Sequence, residues 1–146
     1  GAIGAGILFG HIIYFLIKTN IVAEKLRYFF DVLGKDDLLR RRSLKAWKQI
    51  QKRLKIGGES DLKMAIIEAD KILDEILKRS GYKGDNISER LKHITVVQIS
   101  NIQEIWQAHK VRNRIVHEPD FSLNRGETEI IIEIYKQAFQ EFGLID

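Results

Sequence analysis

The residues best equipped for chemistry lie in one short run, Arg112-Asn113-Arg114-Ile115-Val116-His117, followed by Glu118 and Pro119. A guanidinium, a carboxamide and an imidazole within about one and a half helical turns can bind a phosphate and move a proton. Arginine suits the phosphate because its planar fork matches two oxygens and stays charged. A histidine titrates near neutral pH and serves as acid or base. An asparagine can orient either partner. These groups fit attack of a ribose 2′-hydroxyl on the adjacent phosphate, giving a 2′,3′-cyclic phosphate and a free 5′-hydroxyl with no metal required. Residues four apart share a helix face, so His109, Asn113 and His117 are expected to form one polar stripe. A metal site is a weak rival. His109 and His117 are eight apart, beyond the usual His-x-x-x-His spacing, and the chain has no cysteine. No phosphate-cradling glycine loop is present, because Gly57-Gly58 lacks the Lys-Ser/Thr that completes a P-loop. No serine nucleophile is signalled either.

The run must be held by a frame, and the frame reads as all-α. The 146 residues are rich in Ile, Leu, Lys and Glu and contain one proline, which disfavours a sandwich or barrel. The absence of cysteine excludes a disulfide framework. The chain divides into three zones. Residues 1–17 carry no charged side chain at neutral pH and read as a transmembrane helix truncated upstream, about 25 Å long. Gly6 and Gly10 form a Gly-x-x-x-Gly step, and Tyr14, Phe15 and Lys18 resemble an interfacial anchor. Residues 18–34 read as an amphipathic stalk on Val22, Leu26, Phe29, Phe30 and Leu33. Residues 35–146 read as a compact bundle of four to five helices.

The bundle opens on a basic segment with Arg40, Arg41, Arg42, Lys45, Lys48, Lys52, Arg53 and Lys55 around an apolar stripe of Leu39, Leu44, Trp47, Ile50 and Leu54. Basic residues just past a membrane helix place the downstream chain in the cytoplasm. Arg40, Arg41, Arg42 and Lys45, with Lys110 and Arg114, are candidates to bind RNA or lipid phosphates, and a solvated helix face is the alternative. After the Gly57-Gly58 break, Ser60 can cap a helix that buries Ala65, Ile66, Ala69, Ile72, Leu73, Ile76 and Leu77 and ends at Gly81. Asn86 with Glu89 predicts a capping box for a short helix to about His93. Asn101 can open the helix bearing the motif, which Pro119 stops. Asn124 with Glu127 caps a last helix expected to bury Ile130, Ile131, Ile134, Tyr135, Ala138, Phe139 and Phe142.

The stretch from Asn101 to Glu118, with Trp106, Ala108-His109-Lys110 and Arg112-Asn113-x-x-x-His117, resembles the signature helix of HEPN domains. Their motif is Arg, a polar residue, three variable residues and His. Residues 65–74, the Gly81-Tyr82-Lys83-Gly84 turn and Tyr135…Phe139…Phe142-Gly143 are also similar to HEPN-like proteins, most closely to membrane-anchored ones of small uncultivated bacteria. The resemblance spans about residues 40–146. It implies a helical bundle that dimerises through the motif helix. It further implies a metal-independent endoribonuclease with Arg112, Asn113 and His117 at its site and no cofactor. His109, Glu68 or Asp70 would assist, and an antitoxin or other regulatory protein is an implied partner. Many HEPN-like domains only bind RNA or nucleotides, and that is the alternative. The residues alone also allow a plainer arrangement, in which Arg112 pairs with an acid such as Glu118 and His117 caps the helix end.

Overall fold

A computed structural model describes the backbone of residues 2–19 and 21–146 and the side chains of residues 2–15 and 37–146. The described elements are six helices: α1 (Ala2–Thr19), α2 (Ile21–Ile56), α3 (Glu59–Arg79), α4 (Ile87–Leu91), α5 (Ile102–His117) and α6 (Arg125–Glu141). Among the described residues there is no strand. The chain divides into two compact units, residues 1–38 and 39–146.

In the first unit, residues 2–15 of α1 expose their side chains throughout, including Ile3, Ile7, Leu8, Phe9 and Ile12. Among the described residues no helix is long and apolar enough to cross a membrane. The transmembrane segment expected over residues 1–17 is thus a helix whose described part falls short of a span. The apolar face expected over residues 18–34 lies outside the described side chains. Its backbone is not a separate element, because α2 runs unbroken from Ile21 into the basic segment and ends at Ile56.

The second unit holds the last part of α2 and α3 to α6, which matches the expected four- to five-helix bundle. The apolar stripe of α2 turns inward: Leu39, Trp47 and Ile50 are buried, while Leu44 and Leu54 are half-buried. The helix stops at Gly57, whose φ of 71° suits glycine. The α3 helix is the hub and packs against α4, α5 and α6. Its seven expected core residues, Ala65 to Leu77, are all buried. Fully burying an Ile or Leu contributes about 1.5–3 kcal/mol, so this stripe anchors the unit. The start of α3 departs from expectation. Gly58, not Ser60, is the N-cap, and no side chain caps it. The end is as expected: beyond Arg79 the chain turns at Gly81, with φ 90°, and Tyr82 N–H donates to Leu77 C=O at 3.1 Å.

Of three caps expected from spacing, one is made in full, one in half and one not at all. Asn124 and Glu127 form a complete capping box at α6. Asn86 accepts from Glu89 N–H at 3.0 Å, but Glu89 reaches back to Asp85 N–H rather than to Asn86. Asn101 makes no cap bond to α5; its amide donates instead to Ile134 C=O at 3.0 Å and Gln137 at 3.1 Å, tying α5 to α6. In α6 the buried set is Thr128, Ile132, Tyr135, Ala138 and Phe139, whereas Ile130 is 67% exposed. The inward face is therefore centred on Ile132, not on Ile130 and Ile131. Phe139 stacks on Tyr135 at 6.3 Å and meets the edge of Trp47 at 6.0 Å, closing α6 onto α2.

Candidate functional site

The α5 helix carries the Arg-Asn-x-x-x-His run and ends where expected, at His117, two residues before Pro119. Arg112 and His117 are five residues apart. At about 100° per residue they point in directions about 140° apart. One therefore faces the bundle and the other faces water.

The inward part is a polar network on a buried carboxylate. His109 and Asp70 are only 3% and 2% exposed. His109 Nδ1 lies 3.0 Å from Asp70 Oδ1 and 3.1 Å from Oδ2. Tyr135 O–H donates to Asp70 Oδ1 at 2.8 Å. Arg112 Nε, out of contact with solvent, faces Asp70 Oδ2 at 3.5 Å without making a hydrogen bond. Arg112 Nη1 donates to Asn113 Oδ1 at 3.0 Å, and Asn113 Nδ2 lies 3.3 Å from His109 Nε2. Asp70 only accepts, so Nδ1 of His109 carries the proton and Nε2 is left as an acceptor. Buried polar groups are costly unless paired, and here α3, α5 and α6 supply each other's partners.

Tyr135 shows the electrostatics of this pocket. Burial pushes its phenol well above the ordinary tyrosine range, and the charge of Asp70 and the hydrogen bond to it push the same way; Arg112 opposes them. The fold thus holds the tyrosine proton more tightly than the unfolded chain does. The associated stability is complete below about pH 10 and is lost as pH rises from there toward the folded-state value. Tyr135→Phe is expected to be about 1–3 kcal/mol less stable at neutral pH, because Asp70 loses a donor. That gap should shrink at alkaline pH, as read from urea midpoints at pH 8 and pH 10.5. A gap that stays constant would show that Tyr135 does not titrate with folding.

The outward part is an open cleft of about 670 Å³ that includes Arg114, His117, Glu118, Asp120 and Phe121. His117 is exposed. Arg114 makes an i,i+4 ion pair with Glu118 at 3.2 Å and lies over the Phe121 ring, 4.3 Å from its centroid. The plainer pairing of Arg112 with Glu118 is therefore replaced by Arg114 with Glu118 and Arg112 with Asp70.

The remaining candidates are dispersed. Glu68 lies on Arg53 at 3.0 Å, away from the network, so of the two acids only Asp70 meets the motif. Arg40 pairs with Asp146 at 3.5 Å and Arg42 with Glu75 at 3.6 Å, while Arg41, Lys45 and Lys110 are exposed. Among the described residues no three His, Cys, Asp or Glu side chains cluster closely enough to hold a metal ion. Sequence reasoning missed two participants, Ser88 and Tyr135. Ser88 Oγ lies 2.9 Å from His109 Nε2. Helical periodicity assigns Tyr135 only to the core; its place opposite Asp70 is a contact between residues 65 apart.

Fold and site together define an all-α bundle with a buried His–Asp network on one side of the motif helix and an exposed histidine cleft at its end. No family model, curated protein or solved structure matches the chain.

Proposed function

We propose that the chain is a HEPN-like, metal-independent endoribonuclease acting as a homodimer and held at a membrane by its first unit, with the bundle in the cytoplasm. The observation that carries this reading is the exposed His117 in an open cleft beside the Arg114 guanidinium. His117 takes the 2′-hydroxyl proton, the 2′ oxygen attacks phosphorus, the bond from phosphorus to the 5′ oxygen breaks, and the 5′ oxygen leaves with the proton returned by the His117 imidazolium. A guanidinium holds the charge that grows on the phosphate. Arg114 can turn to that task cheaply, because an exposed pair such as Arg114–Glu118 is worth only about 0.2–1 kcal/mol. Arg112 and His117 diverge within one copy, so a dimer through α5 is the arrangement that brings a second motif to the cleft. The exposed apolar side chains of α1 support the attachment to lipid.

A second reading has its own observation. Arg112 and Asn113 turn toward Asp70 and His109 and do not line the His117 cleft, which favours a bundle that binds RNA or nucleotides without cutting. One assay separates the two. The protein and its His117→Ala and Arg112→Ala variants are incubated with RNA in the presence of chelator. Each variant is expected to lose about 10²–10⁴-fold in cleavage rate. Equal cleavage by all three would remove these residues from the mechanism, and binding with no cleavage would leave the second reading. Attachment is read separately: the full chain should partition into detergent, and a chain lacking residues 1–17 should not.

A further inference from the structure

A second set of reacting groups lies outside the His117 cleft. Ser88, on α4, places its Oγ 2.9 Å from His109 Nε2. The other ring nitrogen, Nδ1, lies 3.0 Å from the buried Asp70 carboxylate. This carboxylate fixes the tautomer, so the Nε2 lone pair is left to accept the Ser88 proton, and the longer contact from Asn113 Nδ2, at 3.3 Å, yields to it. A hydroxyl on a base that is itself oriented by a third group is the arrangement that activates a nucleophile. We propose that Ser88 is a nucleophile for acyl transfer from small carboxylic esters, with His109 as its general base and Asp70 as the residue that positions the imidazole.

Each group has a defined task. Ser88 Oγ attacks the ester carbonyl, its proton passes to His109 Nε2, and the imidazolium is stabilised by Asp70. The carbon–oxygen bond to the alcohol then breaks, and the alcohol leaves with the proton from Nε2. Water repeats the sequence on the Ser88 ester and releases the carboxylic acid. The donor left for the developing oxyanion is the second N–H of the Asn113 amide, the one not turned to His109. Asn113 Oδ1 accepts from Arg112, which turns Nδ2 toward the same imidazole nitrogen that Ser88 uses, at 3.3 Å. His109 and Asp70 are closed off from solvent, whereas Ser88 and Asn113 are half-buried. The acyl group must therefore be small, because solvent reaches Ser88 and Asn113 only in part. This site does not depend on the ribonuclease reading, since neither His117 nor its cleft takes part.

The test uses the full chain with a fluorophosphonate and, separately, with p-nitrophenyl acetate. Intact mass and peptide mapping should find one phosphonyl adduct, on Ser88. It should form about 100-fold faster than on Ser43, Ser60, Ser80, Ser100 or Ser122, in line with general-base activation. Ser88→Ala should give no such adduct and no acetyl-enzyme. His109→Gln should slow labelling about 100-fold. Because His109 is buried, Asn113→Ala serves as a second variant: it leaves the Ser88–His109 pair and should slow acetylation at Ser88 about 10²-fold. Labelling of Ser88 no faster than that of the other serines would overturn the proposal. So would full labelling in a His109→Gln protein that keeps its helical circular dichroism.

Discussion

Asp70→Ala is expected to destabilise the bundle by about 3–5 kcal/mol, because it strips a buried network of its only anion. Alanine removes the acceptor of His109 Nδ1–H and of Tyr135 O–H and the countercharge of Arg112 at once. Each buried donor left without a partner costs about 1–3 kcal/mol, and water cannot reach these two to replace the carboxylate. The 108 residues of the second unit lie near the size for which 1 kcal/mol moves the melting temperature by about 4–8 °C. The midpoint followed by circular dichroism should therefore fall by roughly 15–30 °C. Asp70→Asn keeps the volume and one accepting oxygen, and its loss should be smaller. If Asp70→Ala melted within about 4 °C of the parent, the three contacts would not be worth what their burial implies.

The second large effect concerns the short helix that carries Ser88. Five residues cannot hold a helix by themselves. Arg90 anchors α4: its side chain is only 5% exposed, its Nε donates to Asp74 at 2.7 Å, and its Nη1 donates to Gly84 C=O. Asp74→Ala leaves that guanidinium buried without its anion, so a loss of about 3–5 kcal/mol is expected. Arg90→Met should cost less, about 1–2 kcal/mol, because Asp74 is 25% exposed and retains Lys78 as a partner at 3.7 Å. The order of the two variants in urea unfolding is the informative result. If Arg90→Met proved the more damaging, packing of the arginine stem and not its charge would be what holds α4.

These effects arise where sequence patterns were least readable. The α3 stripe was legible because apolar residues recur at three and four over more than three turns, with a glycine after the last. The motif helix was legible through its proline stop, and the exposure of His117 followed from its place at the helix end. In α6 three successive isoleucines, Ile130 to Ile132, suit any of several inward faces, and only packing against α3 and α5 selects Ile132. Asp70 did leave a signal. It lies four residues after Ile66 and three before Leu73, which puts a carboxylate on the core face. Arg90 carries a weaker form of this mark, three residues after Ile87 and one before Leu91 in a helix of five residues. A charged residue inside an apolar period is a sign of a buried partner, but the partner itself is beyond periodicity. Ser88 and His109 are 21 residues apart on different helices, and nothing local in either segment couples them. The expected polar stripe of His109, Asn113 and His117 was half correct for a related reason. The first two touch, but the bundle ends before the third, which stands in water.

The carboxylate of Asp70 also bears on how the helices find their alignment. Its partners come from α5 and α6, and through His109 it reaches Ser88 on α4. Apolar stripes tolerate sliding: a shift of one turn exchanges one leucine contact for another at modest cost. A hydrogen-bonded charge does not, because the same shift moves it about 5.4 Å and strands it in hydrocarbon. Four helices are thus keyed to a single oxygen pair, and slipped packings that would satisfy the oily surfaces are penalised by an unmatched ion.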